Sequence, residues 1–115
     1  MAFSLEQSAD IYQVVAAYIK EKRPPEEIRE EVDLAYRIDD QSVIIYEVRA
    51  DWKDRSRKIE SMVAKATFVK SKECWKIYWQ RADLKWHRYE PKSEVKRIED
   101  FIKIVEEDRY ACFWG

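Results

Sequence analysis

Hydrophobic positions along the chain follow two periods, helical at both ends and alternating in between. Leu5, Tyr12, Val15 and Ile19 recur at helical spacing, with Gln7, Gln13 and Lys20 on other sides. Ser4 followed by Gln7 fits a capping box, in which each residue satisfies an amide that the first turn leaves open. Pro24 and Pro25 must stop this helix by Arg23, because proline lacks an amide hydrogen and restricts the residue before it. Pro25 is suited to open a short second turn, Glu26–Glu31.

From Val32 the period becomes two. Val32, Leu34, Tyr36 and Ile38 alternate with Asp33, Ala35 and Arg37, the signature of a half-buried strand. Asp39, Asp40 and Gln41 form a turn, and Ser42–Arg49 returns as a second strand. Ala50–Glu60 is highly charged and aperiodic, so it is expected to be a long loop. Met62–Lys70 and Cys74–Arg81 read as a second pair of strands around the turn Ser71–Glu73, with Trp75, Ile77 and Trp79 on one face. Ala82 and Asp83 interrupt the pattern, and Leu84–Tyr89 resumes it as a fifth strand. Pro91 ends the sheet, and Ser93 is the expected N-cap of a closing helix carrying Val95, Ile98, Ile102 and Val105 through about Asp108. Tyr110, Cys112, Phe113 and Trp114 are too apolar to be left in water and should dock on the core.

Short links between successive strands favour antiparallel pairing. The expected fold is α+β, an antiparallel four- to five-stranded meander sheet packed against N-terminal and C-terminal helices. The single-sided stripes of the two helices place both on one face of that sheet. Residues 1–115 carry no internal repeat or linker, and one domain is expected.

Composition narrows the chemistry. The only glycine is Gly115, so phosphate-cradling loops of the P-loop, dinucleotide-binding and kinase types are excluded. One histidine, His87, excludes sites built from several. Cys74 and Cys112 are expected to be reduced, buried thiols in a protein of the cytoplasm. No apolar run approaches a membrane span, and no cofactor is expected.

The stretches RPPEEIREEVDLAYRI, QSVIIYEVR, VAKATFVKSKECWKIYWQRADLKWHRYEP and EDFIKIVEEDRYACFWG together resemble a bacterial family of uncharacterised proteins, domain of unknown function 3024. The resemblance covers nearly the whole chain, and RADLKWHRYEP is its most specific run. This sequence departs from the family at the first hairpin turn, where Asp40 stands in a slot expected to hold glycine. The resemblance implies a small bacterial protein and brings no activity, cofactor or catalytic residue.

Three readings of function remain open. Asp33, with Glu47 and Arg49 on the next strand, echoes a metal-dependent nuclease, in which two carboxylates hold a hydrated Mg²⁺ and a cation steadies phosphate. Arginine in place of lysine and the lack of a following helix favour simple charge pairing instead. His87 with Cys74 or Cys112 lacks any spacing that marks a thiol nucleophile, and no C-x-x-C marks a zinc site.

Charge and aromatics suggest the second reading. Between Lys65 and Arg97 ten basic residues face four acidic ones, with Trp75, Tyr78, Trp79, Trp86 and Tyr89 interleaved. Such a surface could bind single-stranded nucleic acid through Lys76, Arg81, Lys85, His87 and Arg88, with Tyr78 or Tyr89 stacking on bases. Alternation places Lys76, Tyr78, Lys85, His87 and Tyr89 opposite the core side. The third reading is an interaction module, self-associating as a homodimer or binding a protein partner through aromatic surface on the later strands or the tail.

Overall fold

The computed structural model describes residues 3–114; the single glycine, Gly115, lies outside them. Ser4 caps the first helix as its spacing predicts. The Gln7 amide donates to Ser4 Oγ at 3.1 Å, and the Ser4 amide donates to Gln7 Oε1 at 3.1 Å. Two α-helical segments, α1 (Leu5–Ile11) and α2 (Ala17–Lys22), are joined by a π-helical turn at Tyr12–Ala16. The buried stripe is Ile11, Val15 and Ile19, whereas Leu5 is 91% exposed and Tyr12 69%. The wider π turn holds residues four apart on one face, which takes Leu5 and Tyr12 off it.

After a 3₁₀ turn at Glu26–Ile28 come strands β1 (Val32–Asp39), β2 (Ser42–Ala50), β3 (Lys58–Val69), β4 (Cys74–Gln80), β5 (Trp86–Arg88) and β6 (Glu94–Val95). They form one antiparallel sheet in the order β1-β2-β3-β4-β5, with β6 beside β5 on the same edge of β4. The closing helix α3 (Ile98–Glu107) starts later than expected. The Ile77 amide donates to Ser93 O at 2.9 Å, and Glu94–Val95 pairs with β4, so the sheet takes the residues assigned to the first helical turn. The charged Ala50–Glu60 stretch is mostly strand, because β2 and β3 extend into it and leave residues 51–57 as the loop.

All helices lie on one face of the sheet. Ile11, Val15, Ile19, Ile98, Phe101 and Val105 pack with Leu34, Val43, Ile45, Ala64, Ala66, Trp75 and Ile77 in one core. Glu106 joins α2 to α3 by accepting from Tyr18 Oη at 3.0 Å and Lys22 Nζ at 2.8 Å. Burial first, and then that acceptor, pushes the Tyr18 hydroxyl pKa up. Most of the tail docks, with Phe113 against Tyr89 and the Trp114 indole donating to Val105 O at 3.0 Å, but Tyr110, expected to dock with them, is 58% exposed.

Two backbone features set side-chain directions. In the β2–β3 pairing Ile45 faces Ala64 and Tyr46 faces Met62, leaving Val63 as an extra residue. Val63 and Ala64 are both buried, as a β-bulge allows. In the first hairpin Asp40 has φ 54°, the left-handed conformation for which glycine is the usual choice and which aspartate tolerates better than most residues.

Candidate nucleic-acid interface

Antiparallel register decides which side chains share the face opposite the helices. Arg37 pairs with Ile44, Ile44 with Lys65, Lys65 with Tyr78, and Tyr78 with Arg88. Residues directly opposite one another point the same way, so these five form a transverse row across β1 to β5. Ile44 is only 5% exposed yet lies outside the helix-side core, held among its neighbours on this other face. No helix of the described residues covers the row.

Aromatic rings flank its cations. Lys65 Nζ sits 5.1 Å from the centre of the Tyr78 ring and 5.0 Å from that of Trp86, which pairs with Gln80 on the same face. Burial between these rings lowers the Lys65 ammonium pKa, while Asp39 opposes the shift. The Arg37 guanidinium lies 5.0 Å from the Tyr46 ring centre and bonds Glu60 at 2.8 Å. Among the described residues, Lys65, Lys76 and Arg88 have no carboxylate within ion-pair distance. Lys76 stands in the next row, opposite Thr67, whose hydroxyl lies 2.7 Å from that of Ser42.

The structure brings together Lys76, Tyr78 and Arg88 from the expected contacts and removes the others. Tyr89 is 3% exposed and belongs to the core. His87 pairs with Trp79 on the helix face, where its Nε2 lies 2.8 Å from Asp83 Oδ2. Arg81 and Lys85 sit at the β4–β5 turn, with the Arg81 guanidinium over Trp79 at 5.6 Å. The cause is the turn: with Gln80 opposite Trp86, residues of like parity share a face, so Trp86 and Arg88 point out and His87 and Tyr89 point in. Arg37, Ile44, Tyr46, Lys65 and Trp86 were missed as site residues. Burial of Tyr89, once assumed, would have placed Trp86 and Arg88 correctly.

The nuclease constellation is split. Leu34 pairs with Glu47, so Asp33, one residue earlier, lies on the opposite face of the sheet from Glu47 and Arg49. Glu47 and Arg49 do share a face and bond each other at 3.0 Å. Asp33 is held by Arg23 through two bonds of 2.9 and 2.7 Å and accepts the Leu34 amide at 2.8 Å. Arg23 accordingly holds the Asp33 carboxyl below its ordinary range. These carboxylates cannot hold one Mg²⁺ between them. No group of three or more potential metal ligands occurs among the described residues.

Both cysteines are free thiols, Cys74 buried and Cys112 half-buried. Burial and the nearby Asp108 push the Cys112 thiol up, opposite to what a nucleophile requires. The larger grooves are lined in part by α3 and crossed by ion pairs. One of about 900 Å³ contains Lys72 and Glu94, and one of about 650 Å³ contains Lys22 and Glu106.

This architecture defines an α+β protein with helices on one face of an antiparallel sheet and a basic, aromatic opposite face. The chain belongs to the family described as domain of unknown function 3024, which matches residues 3–115. No curated protein and no solved structure matches it. No helix of the described residues is long and apolar enough to cross a membrane.

Proposed function

We propose that this protein binds single-stranded nucleic acid across the open face of its sheet. What supports the reading is the row Arg37–Ile44–Lys65–Tyr78–Arg88, which alternates cations with apolar and aromatic side chains. With strands about 4.8 Å apart, successive cations stand about 10 Å apart across the sheet. Cations at that spacing suit an extended phosphate backbone, while Tyr78 and Trp86 offer π-faces on which any base can stack. A flat face suffices, because splayed single-stranded bases need platforms rather than a deep pocket. The chain carries a net charge of −1, so attraction would be local to this face. Anisotropy of a labelled oligothymidine or oligouridine, titrated with salt, tests the reading. Phosphate contacts from Lys65, Lys76 and Arg88, which pair with no carboxylate among the described residues, predict a slope of log affinity against log salt of about −2. Undetectable binding at low ionic strength would refute it.

A further inference from the structure

Among the described residues no strand pairs with the outer edge of β1, which is eight residues long, VDLAYRID, without proline. The Ala50 amide donates to Glu31 O at 3.0 Å, so odd-numbered positions of β1 bond toward β2 and even-numbered ones face outward. The amides of Tyr36 and Ile38 therefore point to an edge with no strand beside it, while the Leu34 amide is occupied by Asp33. Exposed apolar side chains gather near this edge. Ile38 is 45% exposed, and so is Ile28, at 42%, in the turn just before β1.

We infer that β1 pairs antiparallel with β1 of a second copy about a two-fold axis at Ala35. Only outward positions can share the new hydrogen bonds, which leaves registers centred on a single residue. Centring on Ala35 sets Leu34 opposite Tyr36 and Val32 opposite Ile38. It also places Asp33 opposite Arg37 of the second copy, twice by symmetry, with the small Ala35 side chains meeting on the axis. Centring on Tyr36 would set Asp33 against Asp39 of the second copy, and centring on Leu34 would shorten the overlap. Charge and length therefore select Ala35. The Leu34 amide exchanges its Asp33 partner for Tyr36 O of the second copy, and the Asp33 carboxylate, still held by Arg23, gains Arg37 of the second copy as a second cation. The axis runs perpendicular to the sheet, so both open faces lie on the same side of a continuous sheet. This interface shares Arg37 with the open row, so it is tested by oligomeric state and cross-linking and not by oligonucleotide affinity; it lies away from the later strands and the tail.

Sedimentation of the full chain over a range of concentrations should show a reversible dimer. Arg37→Asp, which sets like charges opposite each other, should weaken it about tenfold. In a Cys112→Ser background, Ala35→Cys should cross-link under mild oxidation. Non-hydrogen-bonded partners have Cα atoms about 4.5 Å apart, within disulfide range. Arg37→Cys faces Asp33 and should not cross-link. A monomer at every concentration would overturn the inference. So would a dimer in which folded Ala35→Cys fails to cross-link.

Discussion

The ammonium of Lys65 lies 5.0 Å from the centre of the Trp86 ring, so the lysine at the middle of the open row is held by aromatic faces and not by a carboxylate. Phosphate can capture it without breaking an ion pair. Lys65→Ala and Arg88→Ala should each flatten the salt slope of binding by about 0.7. Trp86→Ala should weaken binding at every salt concentration by about 1–3 kcal/mol, the worth of one stacked base. Oligonucleotide titrations on variants with unchanged circular dichroism check both outcomes. His87→Ala, altering the helix face, should leave affinity unchanged.

Leu84 is 77% exposed at φ 63°, a left-handed position occupied by a residue with a bulky side chain. Leu84→Gly should stabilise the protein by about 1 kcal/mol, since the conformation costs a non-glycine residue about that much. Urea denaturation measures it, and no gain would mean that the side chain packs usefully at the turn.

Asp108 ends α3 at φ 40° and accepts the amides of Phe113 at 3.0 Å and Trp114 at 2.9 Å. Asp108→Ala should cost about 1–3 kcal/mol by leaving two part-buried donors unpaired. Asp108→Asn keeps one acceptor oxygen and should cost less. The Trp114 indole proton, bonded to Val105 O, should lose exchange protection in the alanine variant.

The Asp33 carboxyl is held below its ordinary range first by its bonds from Arg23. A depressed carboxyl pKa contributes stability above its unfolded value, about 3.9, and loses it as pH falls through the folded value. Arg23→Gln should therefore destabilise the protein at neutral pH, and its deficit should shrink below about pH 4. Parallel denaturation curves at neutral and acid pH decide this. A deficit independent of pH would mean that Arg23 acts by packing.

Local patterns carried much of the fold. The Ser4 cap, the proline stop and the alternation of β1 each involve near neighbours, so their physics is written in short windows of sequence. The open face was legible as a class, basic and aromatic, but only partly as residues. Its membership depends on which strand lies opposite which, and that follows from turn length. The β4–β5 turn put Trp86 on the open face and buried Tyr89, reversing an assignment made from alternation alone. Asp33 and Glu47 looked like partners because their strands are adjacent, yet register placed them on opposite faces.

The bulge at Val63 acts as a phase change within one strand. On its Ala64 side, even-numbered residues of β3 point to the helices; on its Met62 side, even-numbered residues point away. Glu60 consequently emerges on the same face as Arg37 and reaches its guanidinium at 2.8 Å. Remove the extra residue and Glu60 would turn beneath the sheet, leaving Arg37 without its carboxylate. One unpaired residue in β3 thus sets the electrical gradient of the open row, neutralised at the β1 end and positive from Lys65 to Arg88.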